Sequence, residues 1–112
     1  MSVTVKTLID AKQAAAGETT QYTVPASTRT ILDKFTGTNT TGAAATLTVK
    51  LIPSGGSAGA SNTITSAKSI AAGDSYTFPE LAGHVLSPGD IISTLSGTAN
   101  AITIRASGRE VV

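Results

Sequence analysis

Thr46-Leu47-Thr48-Val49-Lys50-Leu51 is the stretch that decides the fold class. Leu47, Val49 and Leu51 fall on one side of a period-two repeat and Thr46, Thr48 and Lys50 on the other, the pattern of a strand with one buried and one wet face. Ala101-Ile102-Thr103-Ile104-Arg105-Ala106 repeats it near the C-terminus, with Ile102 and Ile104 inward. Threonine dominates the outward sites. It is β-branched and polar at once, so it suits a pleated surface while staying hydrated.

Outward from these two runs, further strands are expected at about residues 3–11, 19–24, 30–38, 63–70, 75–78 and 90–95. Between them lie Ala16-Gly17-Glu18, the long run from Pro53 to Ser61, Ala72-Gly73-Asp74, Ser87-Pro88-Gly89-Asp90 and the residues from Gly97 to Asn100. All are turn chemistry, in which Gly supplies positive φ and Pro presets a corner. The one helix candidate is a single turn over Pro79-Glu80-Leu81-Ala82-Gly83. About eight short strands with Gly/Pro corners predict an all-β fold, an antiparallel β-sandwich of jelly-roll type, as one domain over residues 1–112 with a short flexible N-terminal stretch.

An internal echo fits that expectation. Ala15-Ala16-Gly17-Glu18-Thr19-Thr20-Gln21-Tyr22-Thr23-Val24-Pro25 resembles Ala71-Ala72-Gly73-Asp74-Ser75-Tyr76-Thr77-Phe78-Pro79, and each copy is followed by an alternating strand and then Ser-Gly. Two copies of a turn–strand–corner unit suggest paired Greek keys; convergent use of Gly-acid turns accounts for them equally.

Composition narrows the function classes. Only 13% of the residues are charged, against about 25% in an average soluble domain, and the net charge is +1. No Lys/Arg cluster is present to displace counterions from phosphate, so nucleic acid is not an expected partner. No apolar run reaches the roughly 18 residues that span a bilayer, and no signal-peptide core stands near the start, so no membrane partner is expected. With no cysteine there is neither a disulfide framework nor a thiolate metal site. Four aromatics, Tyr22, Phe35, Tyr76 and Phe78, and no Trp leave little to stack on sugar rings.

Candidate chemistry is sparse. Gly55-Gly56-Ser57-Ala58-Gly59 matches the nucleophile-elbow pattern, and Asp74 and His84 follow in the order of a hydrolase triad. That nucleophile needs a strand-to-helix turn on a large sheet, whereas here Gly, Ala and Ser surround it, so a flexible loop is the expectation. His84 is the single histidine, and the carboxylates are scattered, so no metal site is predicted. Asp33 shares a strand face with Ile31 and Phe35 on strict alternation. It is then either buried and paired, with Arg29 or Arg105, or on an intersubunit face. Asn39-Thr40-Thr41 is formally a glycosylation sequon, but its neighbours read as a hairpin tip. No catalytic or cofactor-binding residue is assigned, and the chain is expected not to be an enzyme.

The run from Asn39 to Gly56, then Ile70 to Thr77, Val85 to Ile92 and Arg105 to Glu110, resembles a group of small virion structural proteins of tailed bacteriophages over about three quarters of the chain. The shared patterns are turns and strands, so no functional residue is carried over. The resemblance implies a β-sandwich component of the virion. A capsid decoration or cement protein fits best: made in the host cytoplasm, binding the major capsid protein on the capsid surface, stabilising the shell and self-associating as a dimer or trimer. Alternatives are a tail, collar or head–tail junction protein, and a receptor- or carbohydrate-binding module. Two segments of small polar character, flexible and able to order on binding, are expected to make the contacts: the N-terminal stretch Ser2–Thr7, with Ser2, Val3 and Thr4 foremost, and the loop Ser54–Ala60, with Ser54, Gly55, Gly56 and Ser57 foremost.

Overall fold

The structure, a computed structural model, describes residues 2–112. Nine strands follow one another: β1 (Val3–Gln13), β2 (Thr19–Thr23), β3 (Arg29–Asn39), β4 (Ala45–Ile52), β5 (Thr63–Ile70), β6 (Ser75–Tyr76), β7 (Val85–Leu86), β8 (Ile91–Ser96) and β9 (Ile102–Val111). All pairings are antiparallel. One sheet has the order β1-β9-β3-β6, with β7 also on β3; the other has the order β2-β8-β4-β5.

Because β6 and β7 both pair with β3, they fill one position, and the chain occupies eight positions in two four-position sheets. The interlocked order is that of two Greek keys closed into a jelly roll. The echoing segments lie in opposite sheets, β2 in one and β6 in the other, and so do the alternating strands that follow them, β4 and β9.

The core lies between the sheets. Leu47 and Val49 from β4, Ile92 from β8, Leu32 and Phe35 from β3, and Ile102 and Ile104 from β9 are all at 0% exposure. The period-two reading of β4 and β9 therefore places these side chains correctly. Phe78 completes the core from outside a strand. Its backbone sits at φ 45, a rare conformation for a bulky residue, and this turns the ring edge-on to Phe35 at 5.1 Å and to Tyr76 at 4.6 Å between centroids. A Cβ at Gly37 would stand 3.0 Å from that ring, which is why β3 carries a glycine there.

Three expectations need correction. The strand expected over residues 75–78 stops at Tyr76, because the left-handed turn at Phe78 ends the pairing. Pro79–Gly83 forms hydrogen-bonded turns, Leu81 N–H to Phe78 O at 3.0 Å and His84 N–H to Leu81 O at 3.4 Å, rather than a helix. The 3-10 turn lies instead at Ala60–Asn62. The N-terminal stretch expected to be flexible is a ladder strand, with Val3 to Thr7 in register with Val111 to Ser107.

Candidate functional site

The outer face of the first sheet carries the main surface feature. Cross-strand register lines up Val5 with Arg109, Arg109 with Ile31, and Ile31 with Val85. A second row runs from Val3 through Val111 to Arg29. Val3, Val5 and Val85 are 56%, 82% and 61% exposed on this face, with Arg109 and Ile31 between Val5 and Val85. At the same end an open groove of about 450 Å³ is lined by Ser27, Thr28, Arg29, Pro88, Val111 and Val112.

A bulge sets the charge on this face. β3 advances from Leu32 to Lys34 while β9 advances only from Gly108 to Ser107. Leu32 and Phe35 stay buried and Asp33 and Lys34 both turn outward. Asp33 is thus exposed and does not share the side of Phe35. Its partner is neither Arg29 nor Arg105 but Arg109, whose Nε and Nη2 donate to the two carboxylate oxygens at 3.0 and 2.9 Å. This fork holds the Asp33 carboxyl below the usual carboxylate range. The bulge depends on Gly108, where a Cβ would collide with the Ile31 carbonyl oxygen and approach Leu8 Cδ1 at 3.0 Å.

Polar networks brace this face from inside. Tyr22 OH donates to Glu110 Oε2 at 2.5 Å and meets Thr30 Oγ1 at 2.8 Å, while Lys6 Nζ reaches the same carboxylate at 3.3 Å. Burial first, and the Glu110 carboxylate second, push the Tyr22 hydroxyl up to about 12. On the other sheet Glu18 joins Lys50 at 2.5 Å and also accepts from Ser93. Burial raises the Glu18 pKa, and the bonds from Lys50 and Ser93 more than offset this, so it titrates below its ordinary value. Neither network was visible in sequence, because the partners lie far apart along the chain.

The residues singled out in the sequence fall in separate places. Ser57 is exposed in the β4–β5 loop, Asp74 sits in the turn before β6, and His84 Nε2 lies 3.0 Å from Glu80 O. No hydrogen bond joins Ser57, Asp74 and His84 among the described residues. No group of His, Cys, Asp and Glu that could hold a metal ion occurs among them either. Asn39 is fully buried; its amide donates to Ala43 O and Ile70 O at 2.8 Å each, and its carbonyl accepts from Thr41. It holds the crossing from β3 to β4, which belong to different sheets, so it is not a hairpin tip.

The two segments expected to make contacts differ. Ser2, Val3 and Thr4 are exposed along the edge strand β1, beside Val5. Ser54, Gly55, Gly56 and Ser57 belong to a loop tied down by its own residues and by Asp90 of the turn before β8. There Gly56 N–H bonds to Pro53 O at 2.8 Å, Ser54 N–H to Asp90 Oδ1 at 2.9 Å and Asn62 Nδ2 to Ser57 O at 2.8 Å.

No protein-family model matches the chain, and no curated protein matches it. Among solved structures it is similar to a chain in the structure of infectious bursal disease virus Gx strain, at 16% identity and a TM-score of 0.42, covering 97% of this chain and 30% of that one.

Proposed function

We propose that the chain is a non-enzymatic virion structural protein that binds the assembled shell of a tailed bacteriophage as a decoration or cement protein. The observation that carries the reading is the outer face of the β1-β9-β3 sheet, where exposed valines surround the Asp33–Arg109 fork beside an open strand edge. Such a face has the character of an assembly contact: a charged pair that fixes orientation with apolar side chains around it. The jelly-roll strand order suits it, since this fold recurs in capsid domains as well as in lectins and cupins. The sequence resemblance supplies the tailed-phage context and names the major capsid protein as partner.

A decoration protein acts by binding the assembled state and not the free subunits, which stabilises the shell by mass action. Weak individual contacts suffice, because one particle offers many equivalent sites. The sugar-binding alternative is disfavoured by its two tyrosines. Tyr22 is buried with its hydroxyl engaged, and the Tyr76 ring is flanked by Phe78 and by Lys68 Nζ at 4.5 Å.

Antibody labelling and copy counting on purified particles test the proposal. On the order of hundreds of copies over the shell support it, while about 6–12 copies confined to the tail or collar move the chain to a ring there, as closed cyclic symmetry requires. Its absence from particles overturns the virion role. Shells lacking the protein are expected to rupture at lower temperature.

A further inference from the structure

The open edge of β1 has a defined set of unmet backbone groups. Ser2 and Val112 exchange both backbone hydrogen bonds, at 3.0 and 2.9 Å, and the register then runs unshifted from Val3 to Thr7. Bonded pairs alternate along an antiparallel ladder, so Thr4 and Lys6 turn their N–H and C=O groups to β9. Val3, Val5 and Thr7 turn theirs to the open side.

Edge strands usually carry a guard against pairing. β5 has one: two register shifts against β4, with Ala67 at φ 44 beside Lys68. β2 is only five residues long and has a shift after Thr20. The shifts in β1 begin only after Thr7, so its first five residues form a regular, exposed edge.

We propose that this edge pairs with the same edge of a second copy of the chain, antiparallel about a two-fold axis at Val5. Val5 then faces the second copy's Val5, Val3 faces its Thr7 and Thr4 faces its Lys6. Three features of the segment converge on this register. All the outward backbone groups find partners, making about six hydrogen bonds, two for each of three pairs. The one charge in the segment, Lys6, meets a threonine and not another lysine. The cross-strand row Val85–Ile31–Arg109–Val5 ends at the edge in its most exposed member, and the axis sets that Val5 against the second copy's Val5, covering the most exposed valine among the described residues. The contact is isologous, so it closes at two copies. It does not depend on the virion role, because it is read on the isolated protein.

Sedimentation of the full chain from micromolar to millimolar concentration, with amide exchange read by NMR, tests it. The expected result is a concentration-dependent dimer in which the Val3, Val5 and Thr7 amides become protected as dimer forms. Val5→Pro removes an N–H that faces the open side and leaves the Thr4 and Lys6 bonds to β9 intact, a position at which edge strands accept proline. It is expected to fold and to weaken dimerisation at least tenfold. Val5→Lys, which keeps the backbone and sets two cations face to face, is expected to weaken it too, with partial recovery in salt. A chain that stays monomeric at millimolar concentration with those amides unprotected overturns the proposal. So does a trimer, or a dimer that both variants leave unchanged; the last outcome would place the contact on another surface.

Discussion

The loop from Pro53 to Ser61 and the strand segment from Ser2 to Thr7 look alike in sequence: both are short, rich in Ser, Thr or Gly, and carry one charge between them, Lys6. The fold makes them opposites. In the loop, backbone and side-chain groups satisfy one another, with Asn62 spanning Ser57 O and the Gly59 N–H and Thr63 Oγ1 closing onto Gly59 O. In the N-terminal segment one row of backbone groups is bonded to β9 and the other faces outward. The difference teaches that composition does not identify a contact surface; unmet hydrogen-bonding capacity on a rigid element does.

Glycine replacement should separate the two regions most widely. Gly108→Ala drives a Cβ into the Ile31 carbonyl beneath β1 and is expected to cost about 3 kcal/mol or more, or to abolish folding. Gly59→Ala meets nothing within 4 Å at an extended backbone and is expected to stay within about 0.5 kcal/mol of the parent in urea unfolding. Equal effects at the two sites would erase the contrast.

Opening the loop comes next in size. Asn62→Ala leaves the Gly59 N–H and Ser57 O without their partner and is expected to cost about 1–3 kcal/mol. Exchange should rise for the amides of residues 57–63, while those of β1 stay as they were. If β1 loosens as well, the two regions are coupled and the comparison fails.

The brace behind β1 gives a smaller effect with a pH signature. Tyr22→Phe removes the bonds to Glu110 and Thr30 and is expected to cost about 1 kcal/mol at neutral pH. The folded protein holds this hydroxyl at about 12, above its ordinary value of 10.0, so its contribution is fully present below pH 10 and is lost as pH rises toward 12. The parent should therefore lose stability over that window more steeply than the variant in thermal melts at successive pH values.

The smallest effect is on the opposite sheet. The Glu18 carboxyl lies below its ordinary 4.5 in the fold, so its contribution is present above that value and is lost as pH falls through the folded value. Glu18→Gln should flatten the acid limb of the stability curve slightly and leave dimerisation through β1 unchanged. An effect on dimerisation would put the second sheet in the contact.

Much of the architecture was legible because a strand in a two-layer fold must alternate. Leu47, Val49, Ile102 and Ile104 were read inward and are buried, since each strand has one core face and its pattern is local. Asp33 was misassigned for the converse reason. A bulge is set by the pairing of β3 with β9, and nothing within Ile31-Leu32-Asp33-Lys34 announces it. Val85-Leu86 is too short to show a period, so β7 was not anticipated. Val3 was expected at a contact and lies on the exposed edge, but the reason given, flexibility, does not hold in a paired strand. Val5, the centre of the edge, falls inside the stretch expected to make contacts, but nothing in the sequence singles it out there, because which residues turn their backbone groups to the open side is set by the pairing of β1 with β9.

The sequence by itself determined that this is an all-β chain with Gly/Pro corners and a Thr-clad outer surface, because periodicity and turn chemistry act over a few residues. Only the tertiary structure decided which strand ends up at an edge, where the bulge turns Asp33 toward Arg109, and that Tyr22 meets Glu110. Those outcomes depend on groups tens of residues apart being brought within bonding distance, and the chain order carries no record of which backbone groups are left without a partner.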